Sequence, residues 1–330
     1  MRIILTGGAG FIGSCVLGRL NQNGLSDILL VDRLDDSLPA EGRQDLKFRN
    51  LTAKKFSDFI DKDDFLKSVV DKKADKNVDM VIHLGACTST ILDDEQYLLK
   101  NNYQYSKELA SWALEYGIPF LYASSAATYG NGEMGFSDED ELTLKFKPLN
   151  LYARSKHLFD LWVIENKLLD KVTGFKFFNV YGPNEYHKGE MRSVIAKSYE
   201  KIKKEGRIKL FKSYKKEYKD GEQDRDFIYV KDAVEVVDYF INNPQKHGIF
   251  NVGTGRARTW NELASALFSA LGIERKIEYI EMPRELRDRY QYHTQADLNK
   301  LRKAGCDYQC SDFNAAVKDY VGFLKEGAYL

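Results

Sequence analysis

The sequence predicts an α/β protein with a Rossmann-type, doubly wound parallel sheet and a smaller α/β lobe. Three observations support this fold class. Short apolar segments of strand length alternate with amphipathic segments of helical spacing over roughly the first half of the chain. A glycine-rich turn follows the first apolar segment. Beyond residue 189 the alternation ends and charged residues become frequent, which indicates the start of a second lobe rather than a linker.

The first strand–helix–strand unit carries a candidate phosphate-binding turn. Residues 2–6 form a buried strand, and Gly7, Gly10 and Gly13 follow it at the opening of a helix. This spacing permits a tight turn, a close approach of the backbone to a pyrophosphate, and an anion site at the helix N-terminus. The next strand ends in Asp32, where a carboxylate can accept a hydrogen bond from an adenine ribose. The unit therefore predicts dinucleotide binding rather than a purely structural turn.

The residues after the second strand leave the type of dinucleotide open. Asp32 by itself favours NAD, whereas its neighbour Arg33 could pair with a 2′-phosphate and so favours NADP. Lys47 and Lys62 either add charge to this site or belong to the ordinary solvated surface.

Polar and small residues follow the later strands. The strand at 78–83 is followed by a small-residue turn where backbone could approach a cofactor. A helix predicted over 94–116 contains Asn101, which points either inward or to solvent. The strand at 120–123 leads into Ser125, whose hydroxyl would lie at the carboxyl end of a parallel strand, where open α/β sheets bind ligands.

A tyrosine and a lysine share one face of the next predicted helix. Tyr152 and Lys156 are four residues apart, about one helical turn. An ammonium group on that face favours the phenolate, so the pair could act as a general acid/base. For the isolated motif, the alternative is an aromatic ring that packs against a snorkelling lysine.

The remaining segments complete the two lobes. Further strands are predicted at 174–180, 227–230, 248–252 and 277–280, and helices at 232–241 and 313–324. A capping box from Thr259 to Glu262 opens another helix that runs to residue 271.

Composition excludes several classes of protein. The 330 residues include 49 basic and 49 acidic side chains, so net charge provides no general attraction to nucleic acid or anionic membrane. No apolar run approaches the ~18 residues of a spanning helix, and the N-terminus lacks a signal-peptide pattern, so we expect a cytoplasmic protein. The four scattered cysteines predict reduced thiols and no metal site.

Taken together, the motifs resemble one family. They are the glycine turn, Asp32, Ser125 within Ser-Ser-Ala-Ala-Thr-Tyr-Gly, and Tyr152-x-x-Ser155-Lys156. In this order they resemble the extended short-chain dehydrogenase/reductases that modify nucleotide sugars. Within that group the chain is similar from end to end to the branch that epimerises ADP-heptose. Further stretches that carry this resemblance are 101–109, 178–183, 187–189 and 294–298.

The resemblance implies a catalyst that holds NADP tightly, with NAD as the alternative, and that inverts one carbon of ADP-heptose for lipopolysaccharide inner-core synthesis. The inversion would proceed through a transient ketone at C6″. Tyr152 and Lys188 match the two acid/base residues of the family, Lys156 matches the lysine that activates the tyrosine, and Ser125 matches the active-site serine. A homo-oligomer, with a pentamer suggested by the family, is also implied.

The resemblance assigns cofactor and substrate positions as well. The cofactor positions are Gly7, Gly10, Phe11, Ile12, Gly13, Asp32, Arg33, Lys47, Lys62, Leu84, Gly85, Ala86, Cys87, Thr88, Asn101 and Lys156. The substrate positions are Asn179, Val180, Glu190, Lys197, Phe211, Lys212, Ser213, Tyr214, Arg225 and Tyr290. The chain departs from the family at Arg33, where Asn is common, and at Glu190 and Lys197, where Ser and His are familiar.

These assignments divide the chain into an NADP-binding Rossmann domain, residues 1–182 plus 226–256, and a nucleotide-sugar-binding lobe, residues 183–225 plus 257–330. Two alternative functions stay open from the sequence. One is another nucleotide-sugar epimerase or dehydratase, such as a UDP-sugar 4-epimerase. The other is a non-catalytic nucleotide-sensing protein, although such a protein would not need the set of Ser125, Tyr152, Lys156 and Lys188.

Overall fold

The computed structural model describes residues 1–33, 44–287 and 290–330. Twelve strands lie in this part of the chain: β1 (Ile3–Thr6), β2 (Ile28–Asp32), β3 (Asp58–Asp61), β4 (Met80–His83), β5 (Phe120–Ser125), β6 (Val172–Phe177), β7 (Asn179–Tyr181), β8 (Ile208–Phe211), β9 (Asp224–Tyr229), β10 (Gly248–Val252), β11 (Ala257–Thr259) and β12 (Ile277–Ile280).

The α-helices of the described residues are α1 (Phe11–Gln22), α2 (Gln44–Arg49), α3 (Lys62–Val70), α4 (Glu95–Leu98), α5 (Tyr105–Glu115), α6 (Asp140–Thr143), α7 (Leu151–Glu165), α8 (Val194–Glu205), α9 (Val230–Asn242), α10 (Trp260–Leu271), α11 (Arg284–Arg287), α12 (Asn299–Lys303) and α13 (Phe313–Glu326). A π-helical segment spans Leu99–Gln104, and 3₁₀ segments span Ala126–Tyr129 and Tyr186–Met191.

Seven strands form one parallel sheet in the order β10-β6-β5-β4-β1-β2-β3, which confirms the predicted doubly wound fold. The strand order reverses at β1, whose neighbours are β2 on one side and β4 on the other. In register, Thr6 lies beside Val31 of β2 and His83 of β4. Ligands of such sheets bind in the crevice outside the carboxyl ends of the strands at this reversal.

The sheet divides the core into two layers because successive side chains of a strand point to opposite faces. Leu5, Leu30 and Ile82 belong to one buried cluster, whereas Ile4 and Val81 belong to the other. Helices cover both faces, which explains why the central strands read as continuous apolar runs rather than as alternating patterns.

One predicted strand is two strands in the structure. The apolar run at 174–180 breaks at Phe178, whose backbone N–H donates to the carbonyl oxygen of Val252, 3.0 Å away. Before this point the chain forms β6 in the large sheet, and after it the chain forms β7 in a three-stranded sheet with β9 and β11. The break therefore moves the chain from one sheet to the next.

The smaller sheets lie in the second half of the chain. Strand β9 pairs in parallel with β7 and antiparallel with β11, and β8 pairs with β12. The three-stranded sheet joins segments from both sides of the predicted domain boundaries, and the division into two domains stays a prediction. In the described ranges, no helix combines the length and apolar character that a membrane crossing requires.

Candidate functional site

The glycine-rich turn between β1 and α1 leaves room only for hydrogen at two positions. Gly7 has a φ of +70°, and a Cβ there would lie 2.6 Å from the backbone nitrogen of Gly85. A Cβ at Gly13 would lie 2.1 Å from the carbonyl oxygen of Gly7. The turn is thus a cradle of closely packed backbone at the N-terminus of α1, which suits the pyrophosphate of a dinucleotide.

A cleft of about 630 Å³ opens beside this turn at the reversal of strand order. It brings together many of the predicted cofactor positions, namely Gly7, Asp32, Arg33, Lys47, Lys62, Gly85, Ala86, Cys87 and Asn101. Its lining also contains residues that the sequence reasoning missed: Thr6, Val31, Tyr97 and Tyr105. The tyrosines come from the helical segment after β4, where aromatic residues gave no signal that separated a cleft wall from core.

Three basic residues from separate segments contact the wall of this cleft. Arg33 donates from Nη1 to the hydroxyl of Tyr97 at 2.9 Å. Lys47, on α2, donates from Nζ to Oδ1 of Asp32 at 2.5 Å, and Lys62, at the start of α3, donates from Nζ to Oδ1 of Asn101 at 3.0 Å. These three cations beside Asp32 would suit an additional anionic group on a ribose bound in the cleft.

The remaining predicted cofactor positions lie around the cleft rather than in its described lining. They are Gly10, Phe11, Ile12, Gly13, Leu84, Thr88 and Lys156. Phe11 begins α1, and Leu84 follows β4, where its backbone N–H donates to the carbonyl oxygen of Thr6 at 3.1 Å.

Asn102 is a further residue that the sequence reasoning missed. It is fully buried, accepts from the backbone N–H of Cys87 at 2.8 Å, and donates to the Cys87 carbonyl at 2.9 Å and to Ser155 Oγ at 2.9 Å. It therefore joins the small-residue turn after β4 to the helix that carries Tyr152. The Asn101–Asn102 pair lies in the π-helical segment, where Asn101 lines the cleft and Asn102 is buried.

The predicted acid/base group lies at the first turn of α7. Asn150 caps this helix by accepting the backbone N–H of Ala153 at 2.8 Å, as its position before the apolar run favours. The Ser125 side chain is a neighbour of Tyr152 that lowers the pKa of its phenol. The structure thus brings together Ser125, Tyr152 and, one turn later, Lys156.

The electrostatics of this group differ from the expectation for the Tyr–Lys pair. Burial raises the pKa of Tyr152, and the neighbouring Ser125 opposes that rise. Burial also lowers the pKa of Lys156 to about 8, against the opposing charge of Asp160. The ammonium of Lys156 donates to the carbonyl oxygen of Ala123 at 2.7 Å. In this arrangement, Ser125 is the neighbour that lowers the pKa of Tyr152.

A fully buried ion pair lies behind the acid/base group. Lys176 Nζ donates to Asp160 Oδ2 at 2.6 Å, and both side chains are 0% exposed. Asp160 also accepts from the hydroxyls of Tyr122 at 2.9 Å and Ser124 at 2.7 Å. These bonds satisfy the carboxylate and connect α7 to β5 and β6, the strands that lead to Ser125 and Phe178.

Lys188 lies on the 3₁₀ segment that follows β7. Its Nζ is 5.3 Å from the ring centre of Phe11, so the second predicted acid/base residue lies against the start of α1. The chain turns sharply after it, since Gly189 has a φ of +51°. Burial lowers the pKa of Lys188, and the charge of Glu185 opposes this effect.

Three of the predicted substrate residues form an aromatic and cationic cluster. The guanidinium of Arg225 lies 5.4 Å from the ring of Tyr290, and the rings of Phe211 and Tyr290 meet edge to face at 6.2 Å. Trp260 completes the cluster by donating from Nε1 to the hydroxyl of Tyr290 at 3.0 Å. Arg225 itself donates to the carbonyl oxygens of Asp224 and Gln291. An aromatic wall with a cation suits the stacked base or the phosphates of a nucleotide.

The other predicted substrate residues are held by local contacts. Lys212 Nζ donates to Glu281 Oε1 at 2.7 Å, the Tyr214 hydroxyl also contacts Glu281, and the backbone N–H of Ser213 donates to Asp220. Lys197 Nζ donates to the carbonyl oxygen of Glu190 at 2.9 Å. Asn179 and Val180 begin β7.

Comparison with known proteins identifies the class of this chain. Residues 3–253 match the family model described as the NAD dependent epimerase/dehydratase family. The chain belongs to this family.

Individual relatives narrow the comparison. The chain is 49% identical over 318 residues to the ADP-L-glycero-D-manno-heptose-6-epimerase of Nitratidesulfovibrio vulgaris (strain DP4), covering 96% of each chain. It is 44% identical over 339 residues to the protein of the same name from Fusobacterium nucleatum, with 99% of this chain and 100% of that protein covered.

Solved structures show the same fold. The Helicobacter pylori ADP-L-glycero-D-manno-heptose-6-epimerase has a TM-score of 0.77 at 26% identity, with 98% of this chain and 96% of that chain covered. The Thermotoga maritima UDP-glucose 4-epimerase, solved with UDP-glucose, also has a TM-score of 0.77, at 23% identity and 99% coverage of each chain. The second likeness establishes the fold alone.

Proposed function

We propose that the chain interconverts ADP-D-glycero-D-manno-heptose and ADP-L-glycero-D-manno-heptose by inverting C6″ of the heptose, as a step of lipopolysaccharide inner-core synthesis. The observation that carries this proposal is the near-full-length identity of 44–49% to relatives named for this epimerisation. A cytoplasmic location and a homo-oligomeric state go with the proposal as predictions.

The cofactor that fits this site is a nicotinamide dinucleotide, with NADP preferred. The backbone cradle at Gly7 and Gly13 fits a pyrophosphate, and Arg33, Lys47 and Lys62 supply positive charge for a 2′-phosphate. When bound, the nicotinamide supplies the hydride transfer out of and back into the sugar. NAD is the alternative because Asp32 can serve a free ribose hydroxyl.

The chain's own residues would move the protons. Inversion through a ketone is chemically economical when one group removes the hydroxyl proton of one epimer and a second group, on the other side, returns a proton after the opposite face has received the hydride. Tyr152, whose pKa is lowered by the neighbouring Ser125, and Lys188, beside the start of α1, are the two proposed groups. Ser125 can also donate to the reacting oxygen. Lys156 would hold the ribose side of the cofactor and stabilise the Tyr152 phenolate once its ammonium is drawn from Ala123.

The nucleotide of the substrate would lie in the smaller lobe. Arg225 carries the only charge of the cluster formed with Phe211, Trp260 and Tyr290, so its guanidinium is the proposed partner of the pyrophosphate. To reach a phosphate it would exchange part of its bonding to the carbonyls of Asp224 and Gln291.

Purified protein incubated separately with ADP-D-glycero-D-manno-heptose and with UDP-galactose tests the proposed reaction. We expect conversion of ADP-D-glycero-D-manno-heptose to its L-glycero epimer and no turnover of UDP-galactose. Anion-exchange chromatography or NMR detects the products. Turnover of UDP-galactose alone would overturn the proposal in favour of a UDP-sugar 4-epimerase, and turnover of neither would favour a non-catalytic role.

Lys188→Gln tests the two-group mechanism. Since the change removes one proton donor and acceptor but no proposed cofactor contact, we expect turnover to fall by about 10²- to 10⁴-fold while NADP stays bound. The measurement is kcat with the substrate above, together with the NADP content of the purified variant. A rate near that of the unaltered protein would reduce Lys188 to a substrate contact.

A further inference from the structure

The loop that carries Lys188 is organised around one buried carboxylate. Glu185 is 0% exposed. It accepts hydrogen bonds from the Ser193 hydroxyl at 2.6 Å, the Ser193 backbone N–H, the Gly182 backbone N–H at 3.4 Å and the Tyr320 hydroxyl at 2.7 Å. A carboxylate is buried at this depth only when such donors replace water, so its position is tightly defined.

These bonds fix both ends of the segment that contains Lys188. Gly182 precedes the segment and Ser193 follows it, so one carboxylate spans the loop from entry to exit. Within the loop, the backbone N–H of Lys188 donates to the carbonyl oxygen of Glu185 at 3.0 Å. Movement of Glu185 would therefore move the backbone from which Lys188 extends towards Phe11.

One of the four donors comes from a distant part of the chain. Tyr320 lies on α13, is fully buried, and is separated from Glu185 by 135 residues. Its hydroxyl adds a tertiary anchor to a carboxylate whose other three donors come from Gly182 and Ser193, at the two ends of the loop. Through this bond the last helix contributes to the geometry of the proposed site.

Glu185 also affects the charge of Lys188. The titratable groups that face Glu185 are Lys188, Arg192, Tyr186 and Tyr320. Those that face Lys188 are Glu185 and His187, and burial together with Lys47 and Lys188 keeps the pKa of His187 low, at about 3. His187 is therefore neutral near pH 7, which leaves the Glu185 carboxylate as the charge that favours the Lys188 ammonium.

A second set of contacts holds the same loop independently of Glu185. Asn184 donates to Ser14 Oγ at 3.0 Å and accepts from the backbone N–H of Leu330 at 2.8 Å. The buried Asn50 donates to the carbonyl oxygens of Asn184 and Ala9, each at 3.0 Å. The loop should therefore stay folded when a single bond to Glu185 is removed.

We propose that Glu185 is the positioning residue for Lys188, and that its buried carboxylate, anchored by Ser193 and by Tyr320 of α13, sets the place of the lysine. This inference rests on the proposed function for the catalytic meaning of Lys188. The position and the charge of the lysine can be measured without it.

Tyr320→Phe removes one donor and leaves the carboxylate and the ring in place. We expect kcat for ADP-heptose epimerisation to fall about tenfold, with KM and NADP content little changed. The reason is that the loss of one charge-assisted hydrogen bond to Glu185 displaces Lys188 from its position. The matched control is Tyr199→Phe on α8, because within the described residues the buried hydroxyl of Tyr199 has no hydrogen-bond partner. Equal rates for Tyr320→Phe, Tyr199→Phe and the unaltered protein would overturn the proposal.

Glu185→Gln keeps the size and shape of the side chain at position 185 and removes its negative charge. Competitive trace labelling of lysine amines across pH, read by mass spectrometry on the peptide that contains Lys188, reports its titration directly in the NADP-loaded protein. We expect the Lys188 curve to shift to lower pH in Glu185→Gln, because burial is then no longer opposed by a carboxylate. The pH limb of kcat assigned to Lys188 should shift in the same direction.

The labelling experiment separates this inference from the proposed function. An unchanged Lys188 curve in Glu185→Gln would overturn the positioning role even if the chain epimerises ADP-heptose. A shifted curve together with full activity of Lys188→Gln would support the role of Glu185 and overturn that of Lys188 as an acid/base group.

Discussion

At the scale of single residues, burial decides the charge of the groups around the cleft. It lowers the pKa values of Lys156 and Lys188 and raises that of Tyr152, and in each case a neighbouring polar or charged group opposes it. The pKa of Lys156, about 8, lies close to neutral pH, the range in which an acid/base group exchanges protons most effectively. Neither the direction nor the opposing partner could be inferred from residue spacing, because burial is a property of the fold.

We predict that the buried His83 lowers the free energy of unfolding of the protein in acid. Burial and the charge of Lys156 lower its pKa from 6.5 to about 3. The unfolded chain takes up this proton near pH 6.5 and the folded chain does not until about pH 3. The free energy of unfolding therefore falls between these values by up to about 1.4 kcal/mol per pH unit.

Urea unfolding of His83→Gln at pH 7 and pH 5 tests this account. Glutamine retains a polar group near Thr6 and Ser106, the two hydrogen-bond partners of His83, but takes up no proton. We expect the variant to lose about 2 kcal/mol less than the unaltered protein between the two pH values. Equal losses would show that His83 is not a source of the acid sensitivity.

At the scale of elements, local signals predicted most strands of the large sheet and several of the long helices, but not β3, α3, α8 or β8, nor the interruptions of the predicted elements. The capping box from Thr259 to Glu262 opens α10 where the sequence predicted it. The π-helical segment and the break at Phe178 were missed. Both arise from tertiary contacts, since Asn102 bonds to the turn after β4 and Phe178 bonds to Val252.

Two glycines of α1 provide a matched test of the phosphate-binding turn. In Gly13→Ala the new Cβ would meet the backbone of Gly7 and Gly8, whereas in Gly18→Ala it would meet only the flexible end of Lys54 at 3.5 Å. We expect Gly13→Ala to lose bound dinucleotide and about 1–3 kcal/mol of stability. Gly18→Ala should keep the cofactor and gain up to about 1 kcal/mol, because alanine is the better helix former.

Thermal unfolding and the NADP content of the two purified variants measure these effects. Cofactor retained at the normal level in Gly13→Ala would contradict the view that the turn needs backbone contact at this position.

At the scale of the whole molecule, the cleft exists because the sheet reverses its strand order at β1. This topology brings together a turn after β1, a turn after β4, the end of β2, the last turn of α2 and the start of α3. Arg33, Lys47 and Lys62 are separated in sequence and converge only through this arrangement.

Lys62→Met tests whether the converging charges favour NADP. We expect NADP to bind at least about tenfold more weakly, and NAD to change by less than about threefold, because only NADP carries the 2′-phosphate. The control is Lys67→Met, since Lys67 lies on the same helix, is exposed and is absent from the described lining of the cleft. Titration of cofactor-free protein with each dinucleotide supplies the constants. Equal weakening of both would indicate that Lys62 acts on a group they share.

The sequence by itself determined the fold class, the dinucleotide turn and the group of Ser125, Tyr152 and Lys156, because each is encoded by residue types at short, regular spacing. Only the tertiary structure decided which of Asn101 and Asn102 faces the cleft, where the strand after Lys176 breaks, and which groups perturb each pKa. Those outcomes depend on burial and on contacts between segments far apart in the chain, such as Glu185 with Tyr320, which local patterns do not contain.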